Sequence, residues 1–218
     1  MKSEFYKRTL SSFFLMFIIF ICAFLNNYVF LSFLFITVIL CWIEWIRIIE
    51  KINFNKITKF IYNTSFIIYL MIAFIICFNI FVIDKIFFLT ILMICIFSDI
   101  GGYVFGKTFG GKKLTKISPN KTISGSIGSF ILSYVIFFLM YIYFVDLLYV
   151  RIRYEILFFI PFFISTVCQL GDLFISYFKR KAKLKNTGNL IPGHGGILDR
   201  IDGIIFSLPI GFIVVSLF

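Results

Sequence analysis

Asp199 and Asp202 stand three residues apart in the segment NLIPGHGGILDRID, residues 189–202. At helical spacing such a pair shares a face. Just before them, Pro192 with Gly193, Gly195 and Gly196 makes a tight loop that exposes backbone amides and holds His194, the single histidine of the chain. A third acid, Asp172, lies seven residues before Lys179, about 10 Å deeper along the same helix. Asp172, Ser176, Lys179 and Arg180 share one face by their i, i+4, i+7, i+8 spacing. An ionised carboxylate at that depth in an apolar segment is costly unless it is paired or metal-bound. Three carboxylates converging on a hard divalent cation is the chemistry by which Mg²⁺ holds a polyphosphate. There are plainer alternatives. Acids in a first helical turn complement the macrodipole, and Asp172 can form a packing salt bridge with a nearby lysine. Convergence of Asp172 with the Asp199–Asp202 pair favours the metal.

A second stretch also suggests phosphate chemistry. GGYVFGKT, residues 101–108, satisfies the P-loop pattern letter for letter. That pattern works only where a β-strand delivers a glycine loop to a helix N-terminus. Here the preceding run, Ile86–Ser98, reads as membrane helix, and the following FGGKKLTKISPNK holds Gly110, Gly111 and Pro119 and cannot start a helix at once. Context therefore excludes a P-loop. The stretch keeps Asp99 at the end of a helix, Tyr103 one turn on, and Gly102 and Gly106 on one face. A basic loop follows from Lys107 to SPNKTISGSIGS, residues 118–129. It reads either as a positively charged cytoplasmic loop followed by small-residue helix packing, or as an anion-binding loop at the membrane face.

The elements that must position these groups are membrane helices. The chain is 61% hydrophobic and 14% charged, whereas a soluble domain holds roughly 45–50% apolar and about 25% charged residues. Apolar runs predict an all-α polytopic bundle of about seven spanning helices, at 10–25, 28–47, 60–82, 86–105, 124–145, 155–178 and 201–218. Residues 1–90 supply N-terminal helices and 91–218 the catalytic helices and loops, within one membrane domain. The basic start and the run from Leu10 look like a signal peptide, but no small-x-small cleavage site follows, so a retained helix is expected. With the N-terminus in the cytoplasm, 18 of the 21 Lys and Arg fall on the cytoplasmic side, as the positive-inside rule requires. The net charge of +11 then reports orientation before nucleic-acid binding, and no nucleic-acid partner is expected. The five cysteines all lie in apolar runs without C-x-x-C spacing and read as small buried hydrophobes.

The residues Ser176-Tyr177-Phe178-Lys179-Arg180, then Lys185, then Pro192-Gly193-His194-Gly195-Gly196-Ile197-Leu198-Asp199-Arg200-Ile201-Asp202 closely resemble the signature of the phosphatidate cytidylyltransferases, integral-membrane CDP-diacylglycerol synthases. Asp99, Tyr103, Gly106-Lys107, Ser118-Pro119 and Lys121-Thr122 are similar to a second block of that family. The chain departs from the pattern at Asn186, where family members usually carry Asp, and Asn186 is left out of the metal ligands.

The resemblance implies CTP and phosphatidate as substrates, CDP-diacylglycerol and pyrophosphate as products, and Mg²⁺ as cofactor, with a second cation left open. It places Asp172, Asp199 and Asp202 as metal ligands and Lys179, Arg180 and Arg200 as phosphate-neutralising groups. His194 either bonds a phosphate or caps its loop. Asp99, Lys107, Ser118, Lys121, Thr122, Ser176, Lys185, Gly193, Gly195 and Gly196 complete the substrate site. The implied setting is the bilayer of a bacterial inner membrane with the site on the cytoplasmic face, and the Gly and Ser faces would allow a homodimer. Two alternatives remain at this stage. One is a CTP-dependent lipid kinase or a cytidylyltransferase for another lipid phosphate. The other is a small transporter using Asp99 and Asp172 as a relay, which should show midplane acids, broken helices and internal repeats.

Overall fold

The computed structural model describes residues 26–119, 121–144, 146, 156–188 and 195–217. The helix expected at 10–25, together with Gly193 and His194, lies outside the described residues. The described elements are α1 (Asn27–Lys51), α2 (Lys56–Ile83), α3 (Lys85–Phe109), α4 (Ile123–Phe144), α5 (Phe159–Lys181), α6 (Leu198–Ile201) and α7 (Ile204–Leu217). Among the described residues, five helices, α1 to α5, are long and apolar enough to cross a membrane. There is no strand among these residues, only an isolated bridge between Lys113 and Thr122. The described residues are thus all-helical in their regular structure, as suits a polytopic membrane protein in which each backbone N–H in lipid needs a partner within its own segment.

Polar residues set the helix starts. Asn26 Oδ1 accepts the Tyr28 N–H, Asn55 Oδ1 the Thr58 N–H at 2.7 Å, and Asp84 Oδ1 the Phe87 N–H at 2.8 Å. Thr122 Oγ1 accepts the Gly125 N–H at 3.1 Å and caps α4. Each satisfies one donor that the first helical turn leaves without a partner.

Three boundaries differ from expectation. First, α3 continues to Phe109, so Gly106 and Lys107 are helical. All of GGYVFGKT is therefore helix, and the strand–loop–helix context of a P-loop is absent. Helix propagation adds a hydrogen bond for each residue fixed, and the first real stop is Gly110, whose φ of +58° is a left-handed value. Second, Asp99 is ten residues short of Phe109, the last residue of α3, about 15 Å along the axis, rather than at the helix end. Third, the last helix is not continuous. The single turn α6 gives way to a turn at Asp202 and Gly203 before α7 begins at Ile204.

The chain packs as two compact units. One comprises residues up to Phe74 together with Phe178–Ile201. Its core is aromatic. Trp45 stacks on Phe66 with centroids 4.1 Å apart, and Phe178 meets Trp45 edge-on at 4.9 Å. The other comprises Ile75–Tyr177 together with Asp202–Phe218. Here α3 and α4 cross through glycines. A Cβ on Gly101 would overlap the backbone of Gly128, and one on Gly125 would lie 2.7 Å from the Gly102 carbonyl oxygen. Hydroxyls add to the packing: Ser129 donates to the Ser98 carbonyl at 2.7 Å across the same crossing, and Ser98 and Ser165 share a hydrogen bond at 2.9 Å between α3 and α5. Small residues let helices approach closely in lipid. The Gly and Ser faces that the sequence offers for a homodimer are the faces that join α3 to α4.

Candidate active site

In the first unit the site is built around Asp199, the second residue of α6. Its side chain keeps 7% of its surface exposed, and Lys179, near the end of α5, keeps 10%. Lys179 Nζ donates to Asp199 Oδ1 at 2.7 Å. The other carboxylate oxygen accepts the Thr187 N–H at 2.7 Å and the Gly196 N–H at 3.1 Å. The Gly195 backbone is left-handed at φ +94°, and a Cβ there would press on Asp199 Oδ2 and on Asn186. Glycine at 195 is thus required by both the backbone and the close approach of the carboxylate. The Thr187 and Gly196 amides thus hold the anion from two sides of the chain, which is how backbone donors fix a carboxylate in one rotamer.

Beneath this loop lies a residue that the sequence reading did not use. Glu44 of α1 is fully buried. Its Oε1 accepts the Ile197 N–H at 3.0 Å, and its Oε2 accepts the Leu198 N–H at 2.9 Å and the Thr187 hydroxyl at 2.6 Å. The Thr187 hydroxyl also lies 3.0 Å from Asp199 Oδ2. With a single hydrogen, it can donate to only one of the two carboxylates at a time. Glu44 supplies the acceptors for the N–H groups that open α6, and so anchors the turn that carries Asp199. A lone acid inside the apolar run 28–47 is the signal that marks it, because such acids are expensive and must have partners. Thr187 carried no comparable signal.

In the second unit Asp172 is paired with Lys121. Nζ lies 2.5 Å from Oδ2, with 27% and 28% of the side chains exposed. Ser176 donates to Asp172 Oδ1 at 3.1 Å, one turn along α5. This places Lys121 and Ser176 beside the acid that the sequence singled out. Asp202 opens α7 in the same unit, and its carbonyl oxygen would lie 2.7 Å from a Cβ on Gly171, the neighbour of Asp172. Gly171 therefore lets the start of α7 press directly onto α5. Asp99 and Asp202 both lie within electrostatic reach of Cys168.

The remaining candidates have mostly local partners. Lys107 reaches back one turn to the Tyr103 hydroxyl at 3.4 Å and over its ring at 5.5 Å. Ser118 accepts the Lys121 N–H at its carbonyl, within a turn. Thr122 is committed to capping α4 and to a hydrogen bond with Ser124. Arg180 donates to the Leu184 carbonyl at 3.3 Å. Lys185 and Arg200 are exposed. Gly196 is buried between Thr187 and Glu44, with no space for a side chain.

Within either unit, and among the described residues, no three His, Cys, Asp or Glu side chains group closely enough to hold a metal ion. The expected ligands Asp172, Asp199 and Asp202 are nevertheless hard carboxylate donors, the kind that Mg²⁺ takes. The structure adds that Asp172 and Asp199 each carry a lysine at contact distance.

Over residues 53–218 the chain matches the Cytidylyltransferase family and belongs to it. Curated relatives agree. The chain is 46% identical over 125 residues to a protein of Rickettsia bellii (strain RML369-C) named phosphatidate cytidylyltransferase, covering 55% of this chain and 53% of that one. Proteins of the same name from Staphylococcus haemolyticus (strain JCSC1435) and Staphylococcus aureus (strain COL) are 44% and 46% identical over 114 residues, covering 52% of this chain and 42% of each relative. The chain spans about half the length of the curated relatives it matches. Asp199, Lys179, Lys121 and Asp172 all fall inside the matched family region, whereas Glu44 precedes it.

Proposed function

We propose that this protein transfers CMP from CTP to phosphatidate, giving CDP-diacylglycerol and pyrophosphate in phospholipid synthesis. The observation that carries the reading is the nearly sealed Lys179–Asp199 pair, wrapped by backbone amides, inside the stretch over which the chain belongs to the family. The names of the relatives supply the substrates.

The nucleophile is a phosphate oxygen of phosphatidate. It is already anionic and needs no strong base. It forms a bond to the α-phosphorus of CTP while the bond to the bridging oxygen of the β-phosphate breaks, and pyrophosphate leaves with that electron pair. The difficulty is the approach of two anions, so catalysis rests on positioning and charge stabilisation. Lys179 and Arg180, on the last turn of α5, and Arg200, on α6, would neutralise phosphate oxygens. Lys121 and Lys107 belong to the same task, Lys121 now resting on Asp172 and Lys107 on Tyr103, partners that each can exchange for substrate. Gly195 and Gly196 keep the amide-lined turn narrow and hold Asp199 in place. Asp172, Asp199 and Asp202 would hold Mg²⁺, which when bound screens the phosphates and stabilises the leaving pyrophosphate. The clustering of basic residues on one side of the expected spans supports a cytoplasmic active face and a cytoplasmic N-terminus, in the inner membrane of a bacterium.

The test uses purified protein in detergent with phosphatidate, Mg²⁺ and CTP labelled at the α-phosphate. Label should enter the lipid phase, and chelation should abolish its entry. Entry of γ-label in place of α-label would make the protein a lipid kinase. Failure of either label to enter lipid would refute both.

A further inference from the structure

The first unit contains a cleft whose residues Arg47, Glu50 and Lys51 have been given no role above. It has a volume of about 410 Å³, within the roughly 300–1,000 Å³ typical of small-molecule sites. One wall is the last turn of α1, with Arg47, Glu50 and Lys51. The other is the turn after α5, with Asn186, Thr187 and Leu184. Arg47 and Lys51 are one helical turn apart and face the same space. Among the described residues neither makes a hydrogen bond or an ion pair, while Lys59, further along, is committed to the Glu50 carbonyl. Two cations on a shared face, without partners among the described residues, form an anion-binding wall. The opposite wall leads directly to Asp199, because Thr187 lines the cleft and donates its N–H to that carboxylate.

We propose that this cleft binds the nucleotide, with Arg47 and Lys51 on its phosphates. The inference rests on the proposed use of CTP and extends the nucleotide site to residues outside the family-matched stretch, which begins at residue 53. One feature favours a nucleotide over the lipid phosphate. Glu50 adds an acceptor that suits ribose hydroxyls or an exocyclic amine, donors that an ionised phosphatidate headgroup lacks, and Asn186 adds an amide. The Glu50 carboxylate would repel a bare phosphate, and so favours a ligand that presents donors beside its phosphates.

The experiment measures equilibrium binding of labelled CTP to the full chain in detergent, alongside KM for CTP and for phosphatidate. The R47Q/K51Q double variant should weaken CTP binding about ten- to a hundredfold, as expected for the loss of charge-assisted hydrogen bonds, and leave the phosphatidate KM unchanged. K56Q, an exposed lysine outside the cleft, should bind as the wild type does. K51Q alone should give an intermediate loss and serves as the readout if the double variant does not fold. Unchanged CTP affinity in these variants overturns the proposal. So does a rise confined to the phosphatidate KM, which would give the cleft to the lipid phosphate. Binding is read without turnover, so the two readings fail separately. CTP held through Arg47 and Lys51 without transfer of label refutes the reaction and keeps the cleft. Normal transfer with affinity indifferent to both cations refutes the cleft and keeps the reaction. A wild-type chain that binds no CTP refutes both.

Discussion

The substitution Glu44→Gln changes one atom and leaves the shape of the side chain almost intact. In the wild type, both carboxylate oxygens accept. Oε1 takes the Ile197 N–H, and Oε2 takes the Leu198 N–H and the Thr187 hydroxyl. An amide has one oxygen and one NH₂, so whichever way it turns, one backbone N–H of the 197–198 pair faces another donor. A hydrogen bond to a charged group is worth about 1.5–3 kcal/mol, and the site is sealed from water, so water cannot take over the lost bond. At about 1.4 kcal/mol per factor of ten, local opening of the turn should become about ten- to a hundredfold more frequent. Amide hydrogen exchange followed by mass spectrometry reads this directly, and Gly196–Leu198 should lose protection by that factor while α3 and α4 keep theirs. CMP transfer should fall as well, because Asp199 takes its orientation from the same turn through the Gly196 and Thr187 amides. If exchange at 196–198 and turnover both stay at wild-type values, Glu44 does not hold the turn, and the reasoning from donor satisfaction is wrong.

Asp199→Asn should abolish CMP transfer, measured with α-labelled CTP. Because it also leaves Lys179 without its anion in a nearly sealed site, it should lower the thermal midpoint, breaking a buried pair costing about 3–5 kcal/mol; near-normal turnover would refute the metal assignment. Chelation should stop transfer, and Mg²⁺ should restore it without any change in the elution volume of the protein. Gly196→Ala should be as damaging as any change at the acids, since its Cβ would overlap both Thr187 and Glu44; a stable, active variant would show that the turn can relax. Gly101→Leu should destabilise the α3–α4 crossing, where overpacking costs at least about 1–3 kcal/mol and the clash is with backbone, which should be visible as a lower melting temperature in detergent. By contrast, Lys185→Gln, at an exposed position, should leave stability unchanged and raise the CTP KM only if that lysine reaches a phosphate.

The helices were legible in the sequence because their cause is local. A run of apolar residues with a polar residue at its head must become a capped helix in lipid, and Asn26, Asn55, Asp84 and Thr122 each mark a start. The false P-loop was legible for the same reason, since no strand precedes it. Asp172 was legible as a costly group in need of a partner, and Asp199 as one of a first-turn pair of acids. The partner of each was not. The pairing of Lys121 with Asp172 joins residues 51 positions apart, and the hold of Glu44 on Leu198 spans 154. Such distances are closed by helix packing, not by spacing along the chain. The extent of α3 past Gly106 was hidden too, because glycine weakens a helix without ending it when a close neighbour such as Gly125 requires its small size. The sequence by itself determined which residues are charged in an apolar setting and where the helices begin. The tertiary structure alone decided which donor each charge meets, because a buried carboxylate takes whatever N–H, hydroxyl or ammonium the folded backbone brings to it.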